Sequence, residues 1–175
     1  PEGLDKARLI SFAGSSKRVA LYVGNRIHLQ DGANVKSRRP VAGSYRPVDL
    51  LLSPGGEVLI VSTRDGKLLA FDGRSGRPTG ELETGGVRID RLAWDPKGRI
   101  LAGVGDDAAI HFWARGETKP RVALLIDRYR EWIAWLETGA FDSSDGGARY
   151  VGWKVGSKLY PVNRFRERFQ VPGLL

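Results

Sequence analysis

Two stretches of this chain repeat each other at a constant offset, and that periodicity restricts the fold more than any other feature. Val48 to Pro78 reads VDLLLSPGGEVLIVSTRDGKLLAFDGRSGRP, and Ile89 to Pro120 reads IDRLAWDPKGRILAGVGDDAAIHFWARGETKP. Leu52-Ser53-Pro54 matches Trp94-Asp95-Pro96 at an offset of 94 − 52 = 42 residues, and Phe71 matches Trp113 at the same offset. Each stretch runs from an apolar strand through a Pro-containing turn to a second strand. An Asp-containing turn then leads to a third strand that ends in an aromatic residue. A unit of this size cannot bury its own apolar faces, so a period of this kind implies stacking of like units.

Within a unit the local chemistry is that of short antiparallel strands. Val48 to Leu52 and Val58 to Val61 are apolar on both faces, as strands sandwiched between neighbours must be. Pro54-Gly55-Gly56 and Pro96-Lys97-Gly98 combine a φ-restricted residue with a permissive one, which suits tight reversals. Asp65-Gly66 is a strong hairpin signal, and Gly73 to Gly76 marks the exit to an outer strand. An earlier, degenerate copy spans Arg8 to Pro40, with Ser11 to Gly14 in place of the Ser-Pro turn and Leu29 at the position of Phe71. Four short strands in about 40 residues make a propeller blade. The reading is therefore an all-β propeller of about four blade units: 1–46, 47–87, 88–127, and a closing module over 128–175.

The stretch Trp132 to Val155 holds three of the five tryptophans and a Gly-Gly turn. It predicts a hairpin with a long loop, one strand at Trp132 to Trp135 and the other at Tyr150 to Val155. After Pro161, a short helix would place Phe165 and Phe169 inward at i, i+4, with Arg164, Arg166 and Arg168 pointing out.

The units resemble WD-repeat β-propellers through Leu52-Ser53-Pro54, Asp65-Gly66 and Phe71-Asp72, and through Trp94-Asp95-Pro96, Asp106-Asp107 and Trp113. They depart from that family in lacking a Gly-His dipeptide before the first strands, so its hydrogen-bonded tetrad is incomplete. The last 45 or so residues resemble the terminal module of bacterial WD-repeat proteins found alongside caspase-like peptidases. The matching residues are Trp132-Ile133-Ala134-Trp135, Gly139-Ala140-Phe141-Asp142, Gly146-Gly147 and Gly152-Trp153-Lys154-Val155. That resemblance implies a regulatory or adaptor propeller associated with such a protease. About four units is the lower limit for a propeller, so the C-terminal part of a larger one is expected, with a closed four-blade propeller and a homodimer of half-propellers as alternatives.

Composition removes several function classes. Cysteine is absent, which excludes a thiolate nucleophile, a disulfide framework and a cysteine metal site. The two histidines, His28 and His111, lie far apart, and His111 reads as a structural residue. Glu137, Asp142 and Asp145 are close in sequence but lack the spacing of a calcium loop, so an Asx turn is expected there. Gly85 and Gly86 read as turn glycines. No metal or cofactor is expected. Nor does any apolar run approach a membrane span, so a cytoplasmic protein without membrane contact is expected.

The net charge of +8 is dispersed along the chain and reads first as a solvated surface. The leading functional expectation is a non-catalytic protein–protein interaction scaffold that recruits or controls an effector, with a caspase-like protease and a second chain supplying further blades as candidate partners. Its candidate contact residues are Arg46, Arg64 and Arg88, in the loops that enter the inner strands and those that follow the second strands. The alternative is a nucleic-acid-binding module using the basic surface, marked by steep salt dependence.

Overall fold

Turn residues divide the chain into short strands that pair almost entirely with their sequence neighbours. The computed structural model describes residues 6–174. The first sheet is an antiparallel meander of β1 (Leu9–Ala13), β2 (Arg18–Val23), β3 (Arg26–Asp31) and β4 (Asn34–Pro40). The second repeats that order with β5 (Pro47–Leu52), β6 (Val58–Thr63), β7 (Leu68–Asp72) and β8 (Pro78–Leu82). A six-stranded third sheet contains β9 (Ile89–Trp94), β10 (Ile100–Gly105), β11 (Ile110–Ala114), β12 (Val122–Ile126), β13 (Trp132–Trp135) and β14 (Phe141–Ser143). A fourth, two-stranded sheet pairs β15 (Gly152–Val155) with β16 (Lys158–Pro161). A single helical turn, α1 (Arg166–Phe169), follows. The class is all-β. Among the described residues no helix is long and apolar enough to cross a membrane.

The Pro-containing turns of the second and third sheets are built alike. Gly56 N–H donates to the Ser53 carbonyl at 2.8 Å, and Gly98 N–H to the Asp95 carbonyl at 2.9 Å. Both glycines have positive φ, +73° and +65°, which other residues adopt only with strain. Ser53 Oγ then accepts the amide of Val58, as Asp95 Oδ1 accepts that of Ile100.

Two cores form where the sheets lie face to face. Ala20, Tyr22, Ile27 and Leu29 of the first sheet meet Leu50, Leu52, Leu59, Val61 and Phe71 of the second. On the second sheet's other face, Ile60 and Leu68 meet Ile89, Leu101 and Trp113 of the third. The inner strands of the second sheet, β5 to β7, are thus covered on both faces, as their apolar runs require. Each fully buried Leu, Ile or Phe side chain contributes roughly 1.5–3 kcal/mol.

The first unit departs from the sequence expectation. Ser11 to Ala13 lies in β1, and the turn falls three residues later, between β1 and β2. Leu29 and Phe71 come from opposite sheets into one core, so they face each other and do not occupy equivalent positions. The cause is the β2–β3 turn, two residues long. Gly24 and Asn25 both have positive φ, +57° and +61°, as a type I′ turn demands, whereas β6 and β7 are joined by the longer loop from Arg64 to Lys67. The phase of the side chains shifts accordingly.

The C-terminal stretch also pairs differently from the predicted hairpin. β13 pairs with β12 and with β14, while β15 pairs with β16. The turn at Gly139 reverses the chain at once: Gly139 N–H donates to the Leu136 carbonyl, and Leu136 N–H to that of Ala140. This local closure leaves no strand for the long-range partner. Phe165 and Phe169 do pack inward on Trp153, with ring centroids at 5.9 Å and 4.7 Å. Arg166, expected to point outward, is half-buried instead, and its Nε is enclosed without a hydrogen-bond partner. The tryptophans divide similarly. Trp113 N–H donates to the Glu83 carbonyl at 3.1 Å, while the buried N–H groups of Trp94 and Trp153 have no acceptor.

Candidate partner-binding cleft

The first strands of the three larger sheets, β1, β5 and β9, share no backbone ladder with one another. Each has an edge whose amides need acceptors, because an unpaired buried N–H is costly. Side chains from the preceding first strand supply them. Ser11 Oγ in β1 accepts the Leu52 amide of β5 at 2.9 Å, and Asp49 Oδ2 in β5 accepts the Leu92 amide of β9 at 2.9 Å. The Ser62 hydroxyl adds a further link, donating to the Ile89 carbonyl. These polar stitches hold the three strands side by side.

An arginine precedes each of these strands: Arg8, Arg46 and Arg88. Its backbone is bonded in each case to the residue just past the second strand or at its end. Arg8 N–H donates to the Tyr22 carbonyl, the Arg46 carbonyl accepts from Arg64, and the Arg88 carbonyl accepts from Asp106, at 2.9, 2.9 and 3.0 Å. The three arginines therefore begin their strands in comparable backbone settings.

Between the ends of the first and second sheets lies an open cleft of about 630 Å³, lined by Arg8, Tyr22, Asn25, Tyr45, Arg46 and Arg64 among others. The tyrosines are anchored from below. Tyr22 is buried in the core between the two sheets, with its hydroxyl 3.4 Å from Asn25 Oδ1, and Tyr45 packs edge-on to Phe71 at 5.5 Å. All three arginine side chains are exposed, and none forms an ion pair among the described residues. Asp49 of β5 is turned to the backbone, its two oxygens accepting the amides of Leu50 and Leu92, and forms no ion pair with them among the described residues. The carboxyl of Asp65, next to Arg64, is held below the usual range, chiefly by the neighbouring Thr63 hydroxyl. The cleft is thus a cationic concavity with aromatic, hydroxyl and amide groups in its wall.

Two of the three contact residues expected from sequence, Arg46 and Arg64, meet in this cleft. The third, Arg88, is directed to Asp90, with Nε 2.9 Å from Oδ1, and lies outside it. Arg8, Tyr22 and Tyr45 were missed. Arg8 was legible in principle, as the residue before the first strand of its unit. The Leu29–Phe71 alignment concealed it by placing the first unit four residues out of step at that strand.

The acidic residues considered for a cation do not converge. Asp142 is buried and bonded to the amide of Gly173 at 2.8 Å, while Glu137 pairs with Lys119 at 3.3 Å. Among the described residues no group of three or more potential ligands could hold a metal ion. His111 is buried, with Nε2 3.0 Å from Asp107 Oδ2 and its ring 6.0 Å from that of Trp113. It braces the β10–β11 turn against the core.

Comparison with protein-family models finds no match. A search of curated proteins likewise finds no match. Among solved structures, the chain is similar to Kuenenia stuttgartiensis hydrazine synthase, with a TM-score of 0.58 and 14% identity over 82% of this chain. The match covers 44% of that protein's chain, so this chain spans less than half its length. At that identity the likeness is one of fold.

Proposed function

We propose that this chain is part of a WD-repeat-like β-propeller and serves as a non-catalytic scaffold for protein–protein interaction. The sheets are its blades, and further blades, from this protein or a second chain, complete the ring. The observation that carries the reading is the cleft where two sheets converge, with Arg8, Arg46 and Arg64 left without ion-pair partners among the described residues. Anchored tyrosines beside arginines are the composition of binding hot spots, because they present rigid contact area at little entropic cost. The side-by-side first strands, stitched by Ser11 and Asp49, suit the inner ring of a propeller. Ile10 and Phe12, 43% and 68% exposed on the outer face of the first sheet, suit contact with a neighbouring blade. The effector is a protein, and a caspase-like protease is the candidate that the C-terminal resemblance supplies.

The test is quantitative affinity capture from the source organism with the wild-type chain and with the Arg46→Glu/Arg64→Glu double variant. Both positions are exposed, so the variant is expected to keep its circular dichroism spectrum and Tm. A specific protein partner is expected on the wild type and lost from the variant. An identical set of proteins on both would contradict the assignment of the cleft.

A further inference from the structure

Resting on the scaffold reading, we infer that the cleft between the first and second sheets receives a carboxylate of the partner, from acidic side chains or a C-terminus. Three guanidinium groups around one concavity repel one another, and this arrangement persists without an ion pair among the described residues. Several arginines elsewhere do have an acid beside them. Arg18, Arg39, Arg88, Arg99, Arg115, Arg121 and Arg149 are each within 4 Å of a carboxylate oxygen. In the cleft, by contrast, three arginines without ion pairs among the described residues converge on one concavity, which makes it a place prepared for an anion.

The geometry favours a carboxylate on a peptide over the phosphates of a nucleic acid. A guanidinium fork matches a carboxylate with two parallel hydrogen bonds, stronger than those of neutral pairs. The cleft, about 630 Å³, is sized for one or a few side chains. Tyr22 and Asn25 lie in its wall as further polar partners, and Tyr45 offers an aromatic face to the peptide backbone. A nucleic acid requires a continuous cationic track that neutralises successive phosphates. Arginines elsewhere on the chain alternate with Asp31, Asp90, Asp95 and Glu57, each already paired with one of them.

The experiment is fluorescence anisotropy on the full chain at physiological salt with four probes. These are an N-acetylated, C-amidated hexaglutamate; its hexaglutamine counterpart; a neutral peptide with a free C-terminal carboxylate; and a short oligothymidylate. The variants are Arg46→Ala/Arg64→Ala, Arg46→Lys/Arg64→Lys, and a control of equal charge change, Arg99→Ala/Arg121→Ala. The wild type is expected to bind a carboxylate probe and not hexaglutamine. The alanine pair should weaken binding about tenfold or more, and the lysine pair should weaken it too, since the fork is lost at unchanged charge. The control should stay within about twofold, because exposed ion pairs contribute little. Preference for hexaglutamate assigns acidic side chains, and preference for the free terminus assigns the C-terminal carboxylate. Equal losses in the alanine pair and the control would overturn the inference by reducing it to net charge. So would full binding by the lysine pair, no binding of either carboxylate probe, or tighter binding of the oligothymidylate. If every carboxylate probe fails while a captured protein partner still depends on Arg46 and Arg64, the carboxylate inference falls and the scaffold stands. If no partner is captured at all, the scaffold reading falls.

Discussion

Asp49 divides its two carboxylate oxygens between the amides of Leu50 and Leu92, and so satisfies a backbone edge that no strand covers. Replacing it with alanine leaves the Leu92 N–H without its acceptor. Asp49→Ala is therefore expected to lower unfolding free energy by about 1–3 kcal/mol in urea titration, with Asp49→Asn recovering part of it through its remaining oxygen. Ser11 makes the corresponding link to Leu52 from a buried position, so Ser11→Ala should fall in the same range. Wild-type stability in both variants would mean that the stitches between first strands carry no weight. Neither role is legible in sequence, where Ser11 and Asp49 are polar residues interrupting apolar runs. Their function depends on a strand edge some 40 residues later. The cleft is similar: Arg46 and Arg64 could be picked out as loop arginines near the first strands, but Tyr22 and Tyr45 look like core aromatics, and their dual role exists only once two sheets meet.

At the scale of elements, the meanders of the second and third sheets were readable because turn chemistry and apolar runs agree there, from Pro54-Gly55-Gly56 to Asp65-Gly66. The last third was read with the right strand-forming residues and the wrong partners, since alternation and bulk do not say which strand a strand will pair with. Gly147 illustrates the point. It reads as half of a flexible Gly-Gly turn, yet a side chain there would collide with the Trp132 carbonyl oxygen, so the position needs glycine for close approach. Gly147→Ala is expected to cost about 1–3 kcal/mol, measured by thermal unfolding, because backbone must move to admit the methyl group. An unchanged Tm would contradict this packing. The chain beyond α1 is held by Asp142, which accepts from the Gly173 amide at 2.8 Å, while Val171 N–H donates to the Phe141 carbonyl. Burial raises the Asp142 pKa, but hydrogen bonds from Gly173, Gln170 and Ser143 outweigh it, and the net shift is downward. A carboxyl whose folded pKa lies below its unfolded value, about 3.9, stabilises fully above that pH. That contribution is lost as pH falls through the folded value. Amide exchange around Val171 and Gly173 should therefore accelerate below about pH 4 beyond the intrinsic rate, and Asp142→Asn should abolish that dependence.

For the whole molecule, the 42-residue offset captured the stacking of like sheets but not its phase in the first unit, where a two-residue turn at Gly24 and Asn25 shifts the side chains. The dispersed charge of +8 likewise gave no hint of its arrangement in space. Some arginines are paired with acids in three dimensions, while the cleft between the first two sheets gathers three without ion pairs among the described residues. The first sheet's outer face, with Phe12 exposed, adds a second surface suited to a partner, this time of apolar character. Together these features underlie the proposal of a propeller scaffold whose further blades pack beside β1–β4 and whose cleft engages an effector. The most direct test is native mass spectrometry of the chain isolated at moderate salt with whatever accompanies it in its source. The account predicts a stoichiometric complex with a polypeptide that supplies further blade-like sheets. A lone monomer that unfolds cooperatively would contradict it.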